Sequence, residues 1–256
     1  MSDNLIRHEE DRGIHHLVMC HGPNALDRPL MAALRTALQE LVADGAPAVL
    51  LRSNHPTLFC PGWDLKVLAR TERDELGDFL SSFNRLILDL FSYPGPTAAA
   101  VGGHAVAGGC SMVLACDLRV MIEGRPRIGI SELNLGVPVP GDCVRMMRAR
   151  LNAPALDDLV FRGDGCTAER ARSLGIVHRA VDSDALVTEA GRELARLAFR
   201  PRRALVESKR FLYGDVWAAM GKNRAEEDAA FLDCWFEPET RRRIAGMAQH
   251  LGVRTT

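Results

Sequence analysis

The sequence lacks an apolar run long enough to span a membrane, a CxxC cysteine pair and an excess of charge of one sign. Its 256 residues carry 32 Lys and Arg against 33 Asp and Glu, which gives a formal net charge of −1. A chain without a basic or acidic excess has no electrostatic reason to bind nucleic acid or an anionic membrane. We therefore predict a globular protein whose partner is neither nucleic acid nor a membrane.

The seven cysteines exclude two further classes. Their number is odd and none forms a CxxC pair, so we predict neither a zinc site nor a closed disulfide framework. His15 and His16 have no neighbouring ligand residues in the sequence, and we predict no metal site. The first residues are acidic, with Glu9, Glu10 and Asp11, and are typical of neither a signal peptide nor a transit peptide. We expect a reduced, cytoplasmic location.

Apolar runs of strand type alternate with segments of helical spacing over the first half of the chain. The strand-like runs are residues 17–20, 48–51, 97–101 and 118–122, and the helical segments are residues 30–41, 74–91 and 108–116. After Leu151 the patterns are helical without intervening strands. Predicted helix starts there are Asn152, Thr167, Ser183 and Asp215, and predicted ends are Gly175 and Gly214. This order indicates an α/β fold, divided into a core at residues 1–195 and a helical region at residues 196–256.

Three short segments carry the residues best suited to chemistry: residues 59–66 (FCPGWDLK), 107–111 (AGGCS) and 130–136 (ISELNLG). Gly108 and Gly109 permit close approach of the backbone to a ligand, and a helix that begins there adds the positive end of its dipole. Glu132 has apolar neighbours, which we expect to raise its pKa toward neutrality. Together the segments predict a site where backbone N–H groups hold a developing negative charge while one carboxylate moves a proton.

These segments, in this order and at this spacing, resemble the enoyl-CoA hydratase/isomerase (crotonase) family. The resemblance runs from the amino-terminal strand to about Met247 and includes residues 24–26 (NAL) and the stretch at residues 168–177. It implies a spiral of ββα units followed by a C-terminal helical region that forms a homotrimer or a dimer of trimers. It also implies an acyl-CoA thioester as substrate, acted on in fatty acid metabolism, with coenzyme A as the carrier and no other cofactor.

The resemblance assigns the catalytic roles. It places the two N–H donors of the oxyanion hole at Trp63 and Gly108, and the acid/base carboxylate at Glu132. Because the donors are backbone groups, the role of Trp63 does not depend on its indole. The indole itself has two interpretations, a wall of the acyl pocket or an ordinary core aromatic.

The same resemblance assigns contacts with coenzyme A to four residues, which are Ala25, Asp64, Leu65 and Lys66. Lys209 and Phe231 fall where the helical tail of such proteins contacts the coenzyme A phosphate or adenine. A solvated lysine and a core aromatic are equally good interpretations of those two residues.

Ser111 decides between reactions. It stands where hydratases of this family that use two carboxylates carry their other glutamate, and one carboxylate is poorly equipped to activate water. Moving a double bond from C3 to C2 of an enoyl-CoA needs one base, so we predict an isomerase. A hydratase or other acyl-CoA lyase, and a non-catalytic acyl-CoA-binding protein, are the alternatives. Ser111 lacks the surroundings of a nucleophile, and Asp142 is interpreted as a helix cap.

Overall fold

The computed structural model describes residues 5–222 and 224–253. The strands are β1 (Ile6–Asp11), β2 (Ile14–Met19), β3 (Ala48–Ser53), β4 (Leu58–Cys60), β5 (Thr97–Val101), β6 (His104–Val106), β7 (Leu118–Ile122), β8 (Ile128–Gly129) and β9 (Arg179–Val181). The helices are α1 (Arg28–Ala43), α2 (Leu65–Leu68), α3 (Arg73–Phe91), α4 (Gly108–Ala115), α5 (Glu132–Leu135), α6 (Gly141–Arg150), α7 (Ala153–Arg162), α8 (Ala168–Ser173), α9 (Leu186–Ala198), α10 (Arg202–Ala219), α11 (Ala225–Phe236) and α12 (Pro238–Val253), and a 3-10 turn spans Ser183–Ala185.

The strands form two sheets whose connections wind as a spiral. The larger sheet has the order β1-β2-β3-β5-β7-β9 and is parallel except for the β1-β2 pair, and the smaller sheet is parallel with the order β4-β6-β8. The chain passes from a strand of the larger sheet to one of the smaller sheet before a helix returns it. This repeated ββα unit brings the ends of β4, β6 and β8 together, and the three motif segments follow those ends.

Successive side chains of the central strands point to opposite faces of the sheet, and each face has its own hydrophobic core. In β3, Val49 and Leu51 pack into the main core with the helices α1, α3 and α4, while Ala48 and Leu50 face α9 on the other side of the sheet. Both faces of the sheet are therefore covered. This explains why the first four residues of β3 are all apolar and do not alternate with polar residues.

The last three helices fold back onto the site-bearing elements of the same chain. Helix α10 packs on α6, α11 packs on α3, and α12 packs on α2 and α5. Near the α12–α5 contact, the Thr240 hydroxyl donates a 3.3 Å hydrogen bond to the carbonyl of Gly136. The C-terminal region thus covers the segments at residues 64–68 and 132–136.

The α/β prediction and the predicted core elements are confirmed, and the differences lie on both sides of Leu151. Before it, the short strands β4, β6 and β8 of the smaller sheet were not predicted. Strand β9 was not predicted, and Gly214 and Asp215 lie inside α10 instead of at a helix boundary. Helix α10 continues through them because Tyr213 and Trp217 on either side pack against Phe91, which outweighs the low helix propensity of glycine. The division at residue 195 falls within α9, three residues before its end, and stays a prediction.

Candidate active site

Trp63 lies in a single parallel bridge with Leu26 that fixes its peptide groups. The Leu26 N–H donates a 2.7 Å hydrogen bond to the carbonyl of Gly62, and the Asp64 N–H donates a 2.9 Å bond to the carbonyl of Leu26. Because successive N–H groups of an extended segment point in opposite directions, the Trp63 N–H points away from Leu26. Among the described residues no hydrogen-bond acceptor is paired with it.

Gly108 is the first residue of α4, so its N–H has no partner within the helix. The chain enters this helix through Ala107, whose φ of +52° is unusual for a residue with a side chain. Ala107 is held there because its N–H donates a 2.8 Å hydrogen bond to the carbonyl of Gly129, and its own carbonyl accepts a 3.1 Å bond from Ser111. Strained backbone of this kind persists where the surrounding contacts determine it, and functional sites are common places for it.

The two donor-bearing segments are in contact. A Cβ on Gly62 would lie 3.0 Å from the Cβ of Ala107 and 3.4 Å from the nitrogen of Gly108. Gly62 itself has a φ of +92°, the left-handed conformation that favours glycine. The residue before Trp63 and the residue before Gly108 therefore adjoin, which brings the two N–H groups to neighbouring positions at the amino-terminal end of α4.

Glu132 supplies a buried carboxylate at the start of α5. Its side chain is 9% exposed, and its Oε2 accepts a 2.8 Å hydrogen bond from the N–H of Ser131. Burial raises the pKa of Glu132 from 4.5 to about 7, and the backbone hydrogen bonds oppose that shift. A carboxyl group with a pKa near neutrality both accepts and donates a proton readily at physiological pH, which suits an acid/base catalyst.

The surroundings of Glu132 hold thiols and a hydroxyl. Burial, and after it the charge of Glu132, raises the pKa of the Cys110 thiol on α4. Burial also raises the pKa of Cys143 on α6, against a hydrogen bond from Ser111 that lowers it. Ser111 is almost completely buried, with its Oγ 3.5 Å from the carbonyl of Ala107. The position predicted to distinguish isomerase from hydratase is thus occupied by a buried hydroxyl.

Asp142 does not have its predicted role as a helix cap. Pro140 is the N-cap residue of α6, and Asp142 lies in the first turn with a fully buried side chain. Its Oδ2 accepts a 2.8 Å hydrogen bond from the Nη1 of Arg224, and the Nη1 of Arg145 lies 3.6 Å from its Oδ1. The Asp142 carboxylate therefore joins α6 to the start of α11 through its arginine partners.

The four residues assigned to coenzyme A come together beside the Trp63 bridge. Ala25 and Leu65 are half-buried, Lys66 is exposed, and the Oδ1 of Asp64 caps α2 by accepting a 3.0 Å bond from the Lys66 N–H. Their binding role stays a prediction. Next to Ala25, the buried Asn24 donates a 2.8 Å hydrogen bond to the Ser53 hydroxyl, which secures this segment to the end of β3.

Lys209 is buried and hydrogen-bonded inside the protein, and is not a solvated lysine. Its Nζ donates to the carbonyls of Tyr93 at 2.7 Å and Gly95 at 2.9 Å, and it lies 2.8 Å from the carboxylate of Asp117. A 5% exposed lysine with three partners has no donor left for a phosphate. Phe231 is a core aromatic whose ring lies 5.5 Å from the Trp63 ring in a tilted arrangement.

Several residues of the site were not predicted. Phe79, Phe83 and Trp235 surround the Trp63 indole, and Gly129 holds Ala107. Leu26 belongs to the segment at residues 24–26 that the resemblance includes, but its pairing with the Trp63 backbone was not predicted. In the sequence these are ordinary apolar positions of helices and strands, and no local signal distinguishes them. Within the described part of the chain, no group of three or more His, Cys, Asp or Glu side chains is placed to hold a metal ion.

The fold and the arrangement of the site define a class, and comparison with known proteins agrees with it. The sequence pattern of the family described as Enoyl-CoA hydratase/isomerase matches residues 10–251. The chain therefore belongs to the enoyl-CoA hydratase/isomerase family, and its fold is the crotonase fold.

Solved structures and curated relatives are similar over different lengths. The human mitochondrial delta3-delta2-enoyl-CoA isomerase has a TM-score of 0.93 at 20% identity, covering 98% of this chain and all of that one. An enoyl-CoA hydratase/isomerase from Xanthobacter autotrophicus Py2 has a TM-score of 0.83 at 25% identity, covering 98% and 95%. The mouse mitochondrial methylglutaconyl-CoA hydratase is 32% identical over 70% of this chain, and human enoyl-CoA hydratase domain-containing protein 2 is 33% identical over 77%.

The chain spans 58% and 65% of the length of these two curated relatives. Both are named as mitochondrial, and the cytoplasmic location expected for this chain stays a prediction. No helix within residues 5–222 and 224–253 is long and apolar enough to cross a membrane.

Proposed function

We propose that this protein is an enoyl-CoA isomerase that moves a double bond from C3 to C2 of its substrate. The observation that supports this most is that the site holds one buried carboxylate, Glu132, and that the position expected for a second carboxylate holds the Ser111 hydroxyl. Asp142, the acidic residue of α6, accepts a hydrogen bond from Arg224, so its carboxylate already has a partner. The chemistry available at the site is therefore proton transfer by a single group.

The reaction divides between the carboxylate and the two N–H groups. The Glu132 carboxylate removes a proton from C2 of the 3-enoyl thioester, and the electron pair of that C–H bond delocalises onto the thioester oxygen as a dienolate. The N–H groups of Trp63 and Gly108 donate to this oxyanion, which they stabilise better than reorganising water does. Glu132 then returns the proton to C4, so the C2=C3 double bond forms and no water, metal or further cofactor is consumed.

Hydration is the second candidate, supported by a different observation. The mouse and human relatives at 32% and 33% identity are named as a hydratase and as a hydratase domain-containing protein. A hydratase built on this site would hold its water with a group other than a second glutamate. A non-catalytic acyl-CoA-binding protein is the third candidate.

Turnover of two substrates separates the three candidates. Purified protein is incubated with a 3-enoyl-CoA and, separately, with a 2-enoyl-CoA, while the absorbance of the conjugated thioester is followed and the products are identified by mass. An isomerase produces 2-enoyl-CoA from the first substrate and adds no water to the second. Glu132→Gln should lower that rate by about 100- to 10,000-fold.

Two controls make the result specific. Glu40→Gln, on an exposed position of α1, makes the same chemical change away from the site and should have no effect. Ser111→Ala should retain isomerisation, whereas a hydratase should gain water addition in Ser111→Glu. Addition of water to 2-enoyl-CoA by the unmodified protein would replace the isomerase proposal with hydration, and acyl-CoA binding without turnover would favour the third candidate.

We also propose that the protein forms a homotrimer or a dimer of trimers. Helix α10 presents Phe211 and Leu212 at 75% and 69% exposure, and apolar side chains exposed together are typical of a subunit contact. Light scattering coupled to size-exclusion chromatography measures the mass directly. A double substitution of Phe211 and Leu212 by serine should reduce that mass to the 28.1 kDa of one chain.

A further inference from the structure

The Trp63 indole is the accessible member of an otherwise buried aromatic cluster. Its ring centroid lies 5.0 Å from Phe79 and 5.3 Å from Phe83, both in edge-on contact, and 5.5 Å from Phe231 and 5.9 Å from Trp235. The other four rings are at most 3% exposed, whereas Trp63 is half-buried. The cluster therefore presents one ring to its surroundings, and that ring is Trp63.

This ring belongs to the residue that carries a proposed oxyanion donor. The first ring atom of the indole is three bonds from the backbone nitrogen of the same residue, so a thioester oxygen bound to that nitrogen lies near the ring. Gly108, the other donor, is also backed by the cluster, because a Cβ on Gly108 would lie 3.1 Å from the Phe83 ring. The same aromatic cluster thus lies against both donors.

The cluster also fills the space between two helices. Phe79 and Phe83 come from α3, Phe231 and Trp235 come from α11, and Trp63 lies between the pairs. Ring centroids 5 to 6 Å apart are at the separation of aromatic rings in contact. No methylene chain passes between rings at that separation unless one of them is displaced.

We propose that the Trp63 indole ends the acyl pocket and limits the substrate to a short acyl group. This inference rests on the proposed function, because it takes the thioester to be held by the N–H groups of Trp63 and Gly108. The charge of Glu132 acts on the Cys110 thiol of α4 and the Cys143 thiol of α6, whereas the indole packs among rings of α3 and α11. In this proposal the acyl group extends from the N–H donors toward the indole, and additional methylenes meet the ring.

Chain-length dependence of binding measures where the pocket ends. Each methylene newly buried strengthens binding about fourfold, so affinity rises with chain length only while the pocket has room. Saturated acyl-CoA thioesters with 4, 6, 8, 10 and 12 carbons report this dependence without any reaction. Isothermal titration calorimetry of each thioester gives the profile for the unmodified protein, Trp63→Ala, Trp63→Phe and Trp217→Ala.

Only the substitutions of Trp63 are expected to change the dependence of affinity on acyl-chain length. In the unmodified protein the affinity should stop rising within this series, before the longest thioester is reached. In Trp63→Ala it should continue to rise about 15-fold for each two carbons added, and Trp63→Phe should shift the limit in the same direction by less. Trp217→Ala removes an indole from a separate cluster, where Trp217 packs on Phe91 and Tyr213, and should leave the limit unchanged.

The outcomes distinguish this inference from the proposed function. Affinity that rises through 12 carbons in the unmodified protein, or a profile identical in Trp63→Ala, would overturn the inference. A chain-length limit that moves with Trp63 in a protein that isomerises no 3-enoyl-CoA would support the inference and overturn the isomerase proposal. Absence of binding to every thioester would overturn both. If Trp63→Ala does not fold, as judged by thermal unfolding, the shift in Trp63→Phe decides.

Discussion

Gly109 lies directly against the backbone of Cys60, at a distance that leaves no room for a side chain. A Cβ on Gly109 would come 2.1 Å from the Cys60 carbonyl oxygen and 2.9 Å from its carbonyl carbon. Cys60 ends β4, three residues before Trp63, and Gly109 follows Gly108 at the start of α4. This backbone contact sets the relative position of the two segments that carry the proposed N–H donors.

Substitution of Gly109 by alanine should therefore damage catalysis as well as stability. The added methyl group displaces α4 from β4, and a misplacement of about 1 Å at a catalytic group lowers a rate by about 100-fold. Steady-state kinetics with a 3-enoyl-CoA and thermal unfolding measure the two effects. Gly246→Ala is the matched control, because its Cβ meets open space on α12 and alanine favours a helix. Full activity in Gly109→Ala would contradict the role given to this contact.

The rate of isomerisation should follow the ionisation of Glu132. Burial raises its pKa to about 7, and only the ionised carboxylate removes the proton from C2. The ratio kcat/KM should therefore rise about tenfold per pH unit below pH 7 and level off above it. A profile measured between pH 5 and 9 tests this, with Glu40→Gln as the control that keeps the same profile. A rate independent of pH across neutrality would remove Glu132 from the role of base.

The same ionisation should make stability depend on pH in the opposite direction. The folded protein retains a proton on Glu132 that the unfolded chain releases, so the free energy of unfolding falls as pH rises from 4.5 to about 7. That shift corresponds to about 3 kcal/mol. Glu132→Gln carries no ionisable group there and should gain about that amount relative to the unmodified protein between pH 5 and pH 8. Urea unfolding at the two pH values measures it, and parallel losses in both proteins would contradict the prediction.

Removal of Arg224 should leave the buried Asp142 carboxylate without its main partner. Breaking a buried ion pair by deleting one member lowers the free energy of unfolding by about 3 kcal/mol. Arg224→Met should show that loss in urea unfolding, and the double variant Asp142→Asn, Arg224→Met should recover part of it. Arg242→Met, which breaks an exposed pair with Glu239, is the control and should have little effect. Equal stability of Arg224→Met and the unmodified protein would show that Arg145 suffices for Asp142.

Two lysines should separate stability from binding of coenzyme A. Lys209→Met removes the donor of three hydrogen bonds, to Tyr93, Gly95 and Asp117. It should lower the unfolding temperature without changing acyl-CoA affinity in the folded protein. Lys66→Met changes an exposed residue of α2 and should weaken acyl-CoA binding by up to about fivefold at unchanged stability. Calorimetric binding and thermal unfolding of both variants give the comparison. Reversed effects would return Lys209 to the binding site and remove Lys66 from it.

The sequence predicted the site better where a backbone position is involved than where a side chain is. The region around Gly108 was predicted as a helix start because two glycines precede an apolar segment, and α4 begins at Gly108. Asp142 was interpreted wrongly as a cap, since its partner Arg224 lies 82 residues later. Lys209 was left open for the same reason, because its partners Tyr93, Gly95 and Asp117 are all distant in the chain.

The sequence by itself determined the α/β order, the start of α4 and the presence of a single acidic residue, Glu132, in its motif. Those are properties of neighbouring residues, which govern helix starts and strand periodicity. Only the tertiary structure decided that Glu132 and Ser111 are buried, and that the Trp63 indole packs against aromatic rings of α3 and α11. Burial and ring packing depend on groups that the spiral brings together from separate turns, and no pattern within one segment records them.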